Sequence, residues 1–188
     1  MNLKHYTMKY KAIFISLFIL IISCKDEKKA KDIEGSTTLV KVDNTDDYFS
    51  LSIEATIEQD DDFVLYYLEG DEVNISNENS VPLKVTGSMF PQNLIFNLQE
   101  DILPTKLIIK YGNEQKNQKM QFYGGEINYL GEKIVMDSYK FYQFFIPNLY
   151  IDYNQKNHIA ISKEKNGKYE PIFFSRKVLE DKIDYTFY

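Results

Sequence analysis

The chain has 188 residues, 44% of them hydrophobic and 27% charged, with a formal net charge of −6. Those values belong to a chain that folds around a core, and the length suits one domain better than two. A net acidic surface repels phosphate backbones, so nucleic acid is not an expected partner.

The first element is apolar. Ala12 to Ser23 reads AIFISLFILIIS, behind Lys4, Lys9 and Lys11 and with no acidic residue before it. Crossing about 30 Å of hydrocarbon takes about 20 apolar residues, so this run is too short to span a membrane, whereas a signal-peptide core needs only about 7 to 15. Residues 1–23 are therefore expected to be an export leader, with Met8 as an alternative initiator.

The apolar run stops at Cys24, the only cysteine in the chain. Ile21, Ile22 and Ser23 ahead of Cys24 resemble the lipobox of bacterial lipoproteins. The resemblance implies that the Cys24 thiol takes a diacylglyceryl group, that the leader is cut just before it, and that the new amino terminus is acylated as well. Two or three acyl chains give a stable anchor, at about 0.8 kcal/mol per buried methylene. A lipidated Cys24 leaves no thiol for a disulfide, so packing or a bound ion must carry stability. Lys25, Asp26 and Glu27 resemble the export signal of Bacteroidota lipoproteins, which implies a lipid anchor in the outer membrane and exposure at the cell surface. Residues 24–36 are rich in lysine and acid without a period, as in a flexible tether.

The folded domain is expected over 37–188. Its clearest strand is FSLSIEATIE, where Phe49, Leu51, Ile53, Ala55 and Ile57 share one face and Ser50, Ser52, Glu54, Thr56 and Glu58 the other. Further strands are predicted at 38–43, 63–68, 72–76, 82–87, 94–98, 106–111, 119–123, 126–130, 133–136, 140–146, 149–153, 158–163 and 169–174. In YKFYQFFIPNLYIDY both parities are largely apolar, which predicts a strand buried between two layers. Asn166 and Gly167 accept the positive φ of a tight primed turn and predict a hairpin in HIAISKEKNGKYEPIFF. Val178, Leu179 and Ile183 have helical spacing after Ser175. The fold class is therefore all-β: a single antiparallel β-sandwich, jelly-roll-like, with a short C-terminal helix.

The stretch VTGSMFPQNLIFNLQEDILPTKLIIKYGN resembles jelly-roll carbohydrate-binding modules of the galactose-binding-like kind, over about residues 49–130 of this chain. The resemblance implies contact with glycans and supplies no individual binding residue.

Catalytic signatures are scarce. His158 is the one histidine after Cys24, and it heads an alternating strand with Ile159 and Ile161 on the other parity, which predicts a surface residue. No nucleophile elbow, zinc-protease motif, phosphate loop or dinucleotide fingerprint occurs. Paired carboxylates could serve a glycosidase, but 28 acidic residues make some pair inevitable. Acid-rich DNTDD at 43–47 and EQDDD at 58–62 fall in expected loops, where converging oxygens suit Ca²⁺. Asp60, Asp61 and Asp62 are the candidate ligands of a structural calcium, the one cofactor considered. The 15 tyrosines offer flat rings with a hydroxyl. Tyr139, Tyr142, Tyr150 and Tyr153 are the candidate binding platform. The reading that follows is a non-enzymatic, lipid-anchored envelope protein whose β-sandwich binds a ligand or scaffolds another envelope protein. The alternative is a carbohydrate-binding accessory module or glycan-processing enzyme.

Overall fold

The alternation in FSLSIEATIE persists in three dimensions. Along β1 (Ser50–Ile57), Leu51, Ile53, Ala55 and Ile57 are all buried, as the two-residue period of a strand requires when one face meets a core. The computed structural model describes residues 47–112 and 117–188, which lie in one unit, Val42–Tyr188. The expected leader, Cys24, the tether and the strand at 38–43 lie outside the described residues.

After β1 come β2 (Asp61–Leu68), β3 (Ser80–Val85), β4 (Gln92–Asn97), β5 (Lys106–Lys110), β6 (Lys119–Tyr129) and β7 (Glu132–Asp137). Then follow helix α1 (Ser138–Phe144), β8 (Phe145–Pro147), β9 (Ile151–Asn154), β10 (Ile159–Ser162), β11 (Ile172–Ser175) and helix α2 (Lys177–Phe187). Among the described residues these strands build an all-β sandwich of two antiparallel sheets. One runs β4-β1-β6-β10-β9, with β7 also paired to β6, and the other runs β3-β2-β5-β11-β8. Set side by side, the two orders place β4 with β3, β1 with β2, β6 with β5, β10 with β11 and β9 with β8. Each facing pair is consecutive in the chain with one strand in each sheet, whereas β2–β3, β6–β7 and β9–β10 pair as antiparallel neighbours within one sheet.

Aromatic rings fill the space between the sheets. Tyr111 stacks on Phe63 at 5.5 Å and on Phe173 at 6.0 Å, and Phe122 stacks on Phe141 at 4.0 Å. Burying one such ring contributes roughly 1.5–3 kcal/mol, so this layer supplies much of what a disulfide would otherwise provide.

Several expectations are corrected. The strands expected at 119–123 and 126–130 are one strand, β6. A bulge lies where Glu54 faces Gly124 but Ala55 faces Phe122, and a Cβ on Gly125 would collide with the Ser52 carbonyl oxygen. The glycines let two backbones approach and the strand bend, without ending it. Residues 72–76 form no strand, and Val73 and Ile75 are exposed. The Asn79 side chain there accepts from the Ser76 N–H at 2.7 Å, a local bond that competes with sheet pairing.

The buried strand expected at 140–146 is mostly helix. Asp137 caps α1 by accepting from the Lys140 N–H at 2.7 Å, and Phe141, Tyr142 and Phe144 turn inward while Tyr139, Lys140 and Gln143 stay exposed. Only from Phe145 does the chain extend, into β8. The turn at Asn166 and Gly167 forms as predicted, with φ of 56 and 72 and a bridge between Lys165 and Lys168. Its arms diverge, however: β10 enters one sheet and β11 the other, so the turn is a corner between sheets and not a strand hairpin. The C-terminal helix is α2, with Leu179 and Ile183 buried and Val178 exposed. No helix among the described residues is long and apolar enough to cross a membrane.

Candidate functional site

Helix α1 presents one face to solvent. Tyr139, Tyr142 and Gln143 fall at i, i+3 and i+4, the spacing that places side chains side by side on a helix, with Tyr139 and Gln143 exposed and Tyr142 buried at the edge of that face. Opposite them, Tyr153 on β9 and Gln155 just after it complete a cleft of about 250 Å³. This lies just below the roughly 300–1,000 Å³ usual for small-molecule pockets, and suits a single ring held at the surface.

The floor of the cleft is closely packed. Tyr142 lies face to face with Tyr153, with 3.3 Å between ring centroids and 20° between planes. Behind it, Tyr142 meets Phe122 and Phe141 edge-on at 5.5 and 5.1 Å. The Tyr153 hydroxyl sits 3.4 Å from His158 Nδ1. Tyr139 is 67% exposed and forms a loose wall. Burial pushes the Tyr153 phenol up to about 12, and it drives Tyr142 higher still, with Tyr153 and Tyr111 adding to the rise. Both phenols therefore remain neutral across the physiological range. The Tyr142 hydroxyl is buried and has no hydrogen-bond partner.

Of the four tyrosines expected to form a platform, the fold brings together Tyr139, Tyr142 and Tyr153. Tyr150 is not part of the cleft lining; it sits half-buried in the turn before β9, its N–H donating to Asn148 Oδ1 at 3.1 Å. Gln143 and Gln155 join the tyrosines in the lining. A helical reading of DSYKFYQFF would have placed Gln143 beside Tyr139. His158 is half-buried rather than a surface residue, with φ of 56. It shares the parity of the buried Ala160 and Ser162, while Ile161 is the exposed one.

Two of the three aspartates, Asp60 and Asp61, serve as backbone acceptors. Asp60 Oδ1 takes the Gly87 N–H at 2.7 Å. Asp61 is buried, its Oδ1 accepting from the N–H groups of Asp62 at 2.8 Å and Gly112 at 3.1 Å, and its Oδ2 from Gln118 Nε2 at 3.3 Å. Gln118 is itself buried and also exchanges bonds with Gln59. A hollow of about 240 Å³ does adjoin Asp60, Asp61 and Asp62, and Lys84 shares its wall. Among the described residues, no group of three or more His, Cys, Asp or Glu side chains is placed to hold a metal ion.

The sandwich and its aromatic cleft define the class of protein as an antiparallel β-sandwich with a tyrosine- and glutamine-lined surface cleft. Compared with known proteins, the chain matches no family model, no curated protein and no solved structure.

Proposed function

We propose that this is a lipid-anchored cell-envelope protein whose β-sandwich is a non-enzymatic binding module, with a glycan as its ligand in the cleft at α1. The observation that carries the reading is the convergence of Tyr139, Tyr142 and Tyr153 with Gln143 and Gln155 around one small hollow. A sugar ring offers a weakly positive C–H face and a rim of hydroxyls. Aromatic faces carry negative charge density that attracts such C–H groups, and a glutamine amide both donates to and accepts from hydroxyls. Buried phenols that stay neutral hold a ligand without exchanging protons with it. The lipobox-like residues at Cys24 supply the anchor and the outer-membrane location in this reading.

The test has two arms. On a glycan array, the full chain purified in detergent should retain a discrete set of glycans, and Tyr139→Ala should lose them while melting unchanged. In cells fed labelled palmitate, the parent should take up the label and Cys24→Ser should not. An empty array would end the glycan reading, and absence of label from the parent, or its persistence in Cys24→Ser, would end the anchor.

A further inference from the structure

The aromatic cleft does not stop at Gln143. Tyr142 and Gln143 also border a larger hollow, about 720 Å³, whose opposite wall is Arg176, Lys177 and Val178 at the start of α2. A third hollow, about 450 Å³, again includes Gln143 and adds Lys133, Lys140 and Lys182. Gln143 therefore stands where the tyrosines give way to five cations. In a chain with 22 basic and 28 acidic residues, that concentration runs against the overall charge.

Carboxylates temper part of it. Lys177 pairs with Asp181 at 2.6 Å, Lys133 with Glu126 at 3.0 Å, and Lys140 lies 3.9 Å from Asp137. Glu180 is engaged by the Ser175 hydroxyl at 3.0 Å. Arg176, the only arginine of the chain, is exposed. Its guanidinium and the Lys182 ammonium have no ion-pair or hydrogen-bond partner among the described residues. A guanidinium presents a planar fork of donors that matches the paired oxygens of a carboxylate or sulfate. Beside it, Tyr142 borders both the aromatic cleft and this hollow, and its buried hydroxyl is unpartnered.

Resting on the glycan reading above, we infer that the ligand is an acidic saccharide. Its ring lies against Tyr139 and Tyr153, and its anionic group reaches past Gln143 to Arg176. A neutral sugar would fill the aromatic half alone and leave the guanidinium facing water. An acid-bearing sugar engages both halves at once, its ring on the tyrosines and its charge on the guanidinium.

The experiment is calorimetric titration of the full chain, in detergent, with oligosaccharides of galacturonate, glucuronate and mannuronate, each compared with its methyl ester, and with a sulfated galactan. The ester keeps the ring and removes the charge, and the sulfated chain separates sulfate from carboxylate as the anion. At least one acidic chain should bind about ten-fold tighter than its neutral counterpart, the size expected for one charge-assisted contact. Arg176→Gln should abolish that advantage, added salt should erode it, and Lys84→Gln, a charge lost on β3, should leave it intact. Equal binding of acid and ester, or a preference that survives Arg176→Gln, would overturn the acidic ligand and leave the glycan reading standing. Failure of every saccharide, or acid binding that ignores Tyr139→Ala, would overturn both.

Discussion

Tyr142 and Tyr153 face one another across the joint between α1 and β9, ring on ring at 3.3 Å. One partner comes from a helix that leads into the five-stranded sheet and the other from an edge strand of the six-stranded one, so the pair ties the cleft to the sandwich. An aromatic pair contributes about 0.5–1.5 kcal/mol beyond the area it buries. Tyr153→Ala should therefore lower stability by about 2 kcal/mol and remove glycan binding. Tyr153→Phe keeps the stack and loses only the contact with His158, so its denaturation midpoint should stay near that of the parent. Chemical denaturation of both variants checks this, and equal losses in the two would mean that the hydroxyl, not the ring, holds the joint.

Alkaline pH should act on the same joint. Burial raises the phenol of Tyr153 to about 12, that of Tyr142 further, and that of Tyr111 well above its ordinary value. An unfolded chain releases these protons near pH 10, so between about 10 and 12 the folded state binds protons that the unfolded state has lost. Stability from these groups is complete below about pH 10 and is lost as pH rises through the folded values. The melting temperature should fall steeply above that point, and the last phenolate absorbance should appear together with unfolding. Tyr153→Phe should make the earliest part of the fall shallower.

How far the sequence exposes these features depends on the length over which a period can be read. β1 alternates over its full length with one face in the core, so Leu51, Ile53, Ala55 and Ile57 declare it. Helix α1 spans seven residues, about two turns, and over so short a run, apolar on both parities, period alone does not separate a strand buried on both faces from a buried helix. The deciding signal was Asp137, a capping residue directly before the run. The candidate site follows the same logic. Tyr139, Tyr142 and Tyr153 stand out by chemistry, whereas Gln143 becomes visible only once the segment is helical. Tyr150 shares that chemistry, but the turn before β9 holds it away from the cleft. Nothing local distinguishes the corner at Asn166 and Gly167 from a hairpin, because its arms part through pairing with distant β5 and β6.

Asp61 should behave as a structural acceptor. Its carboxylate takes two backbone N–H groups and the Gln118 amide in a buried setting, and removing it leaves those donors unpaired at about 1–3 kcal/mol each. Asp61→Ala should cost about 3 kcal/mol, and Gln118→Ala about 2 kcal/mol. A chelator should leave the melting temperature of the parent unchanged. Thermal unfolding with and without chelator tests this directly: a drop on chelation, restored by Ca²⁺, would move Asp60, Asp61 and Asp62 back to an ion-binding role.

Tyr111 offers a substitution that should raise stability. Its ring is sandwiched between Phe63 and Phe173, it is fully buried, and its hydroxyl has no hydrogen-bond partner. An unpaired buried hydroxyl costs about 1–3 kcal/mol, while loss of one oxygen leaves a void too small to forfeit as much packing. Tyr111→Phe keeps both stacks and should gain about 1 kcal/mol, or roughly 2–4 °C in melting temperature for a domain of this size. It should also flatten part of the alkaline fall, since one raised phenol is gone. A loss of similar size would show that the hydroxyl binds an internal water joining it to the Tyr142 hydroxyl, the other buried phenol without a partner. In that case Tyr142→Phe alone should be destabilising, and the double variant should cost no more than either single change, because both remove the same bridge.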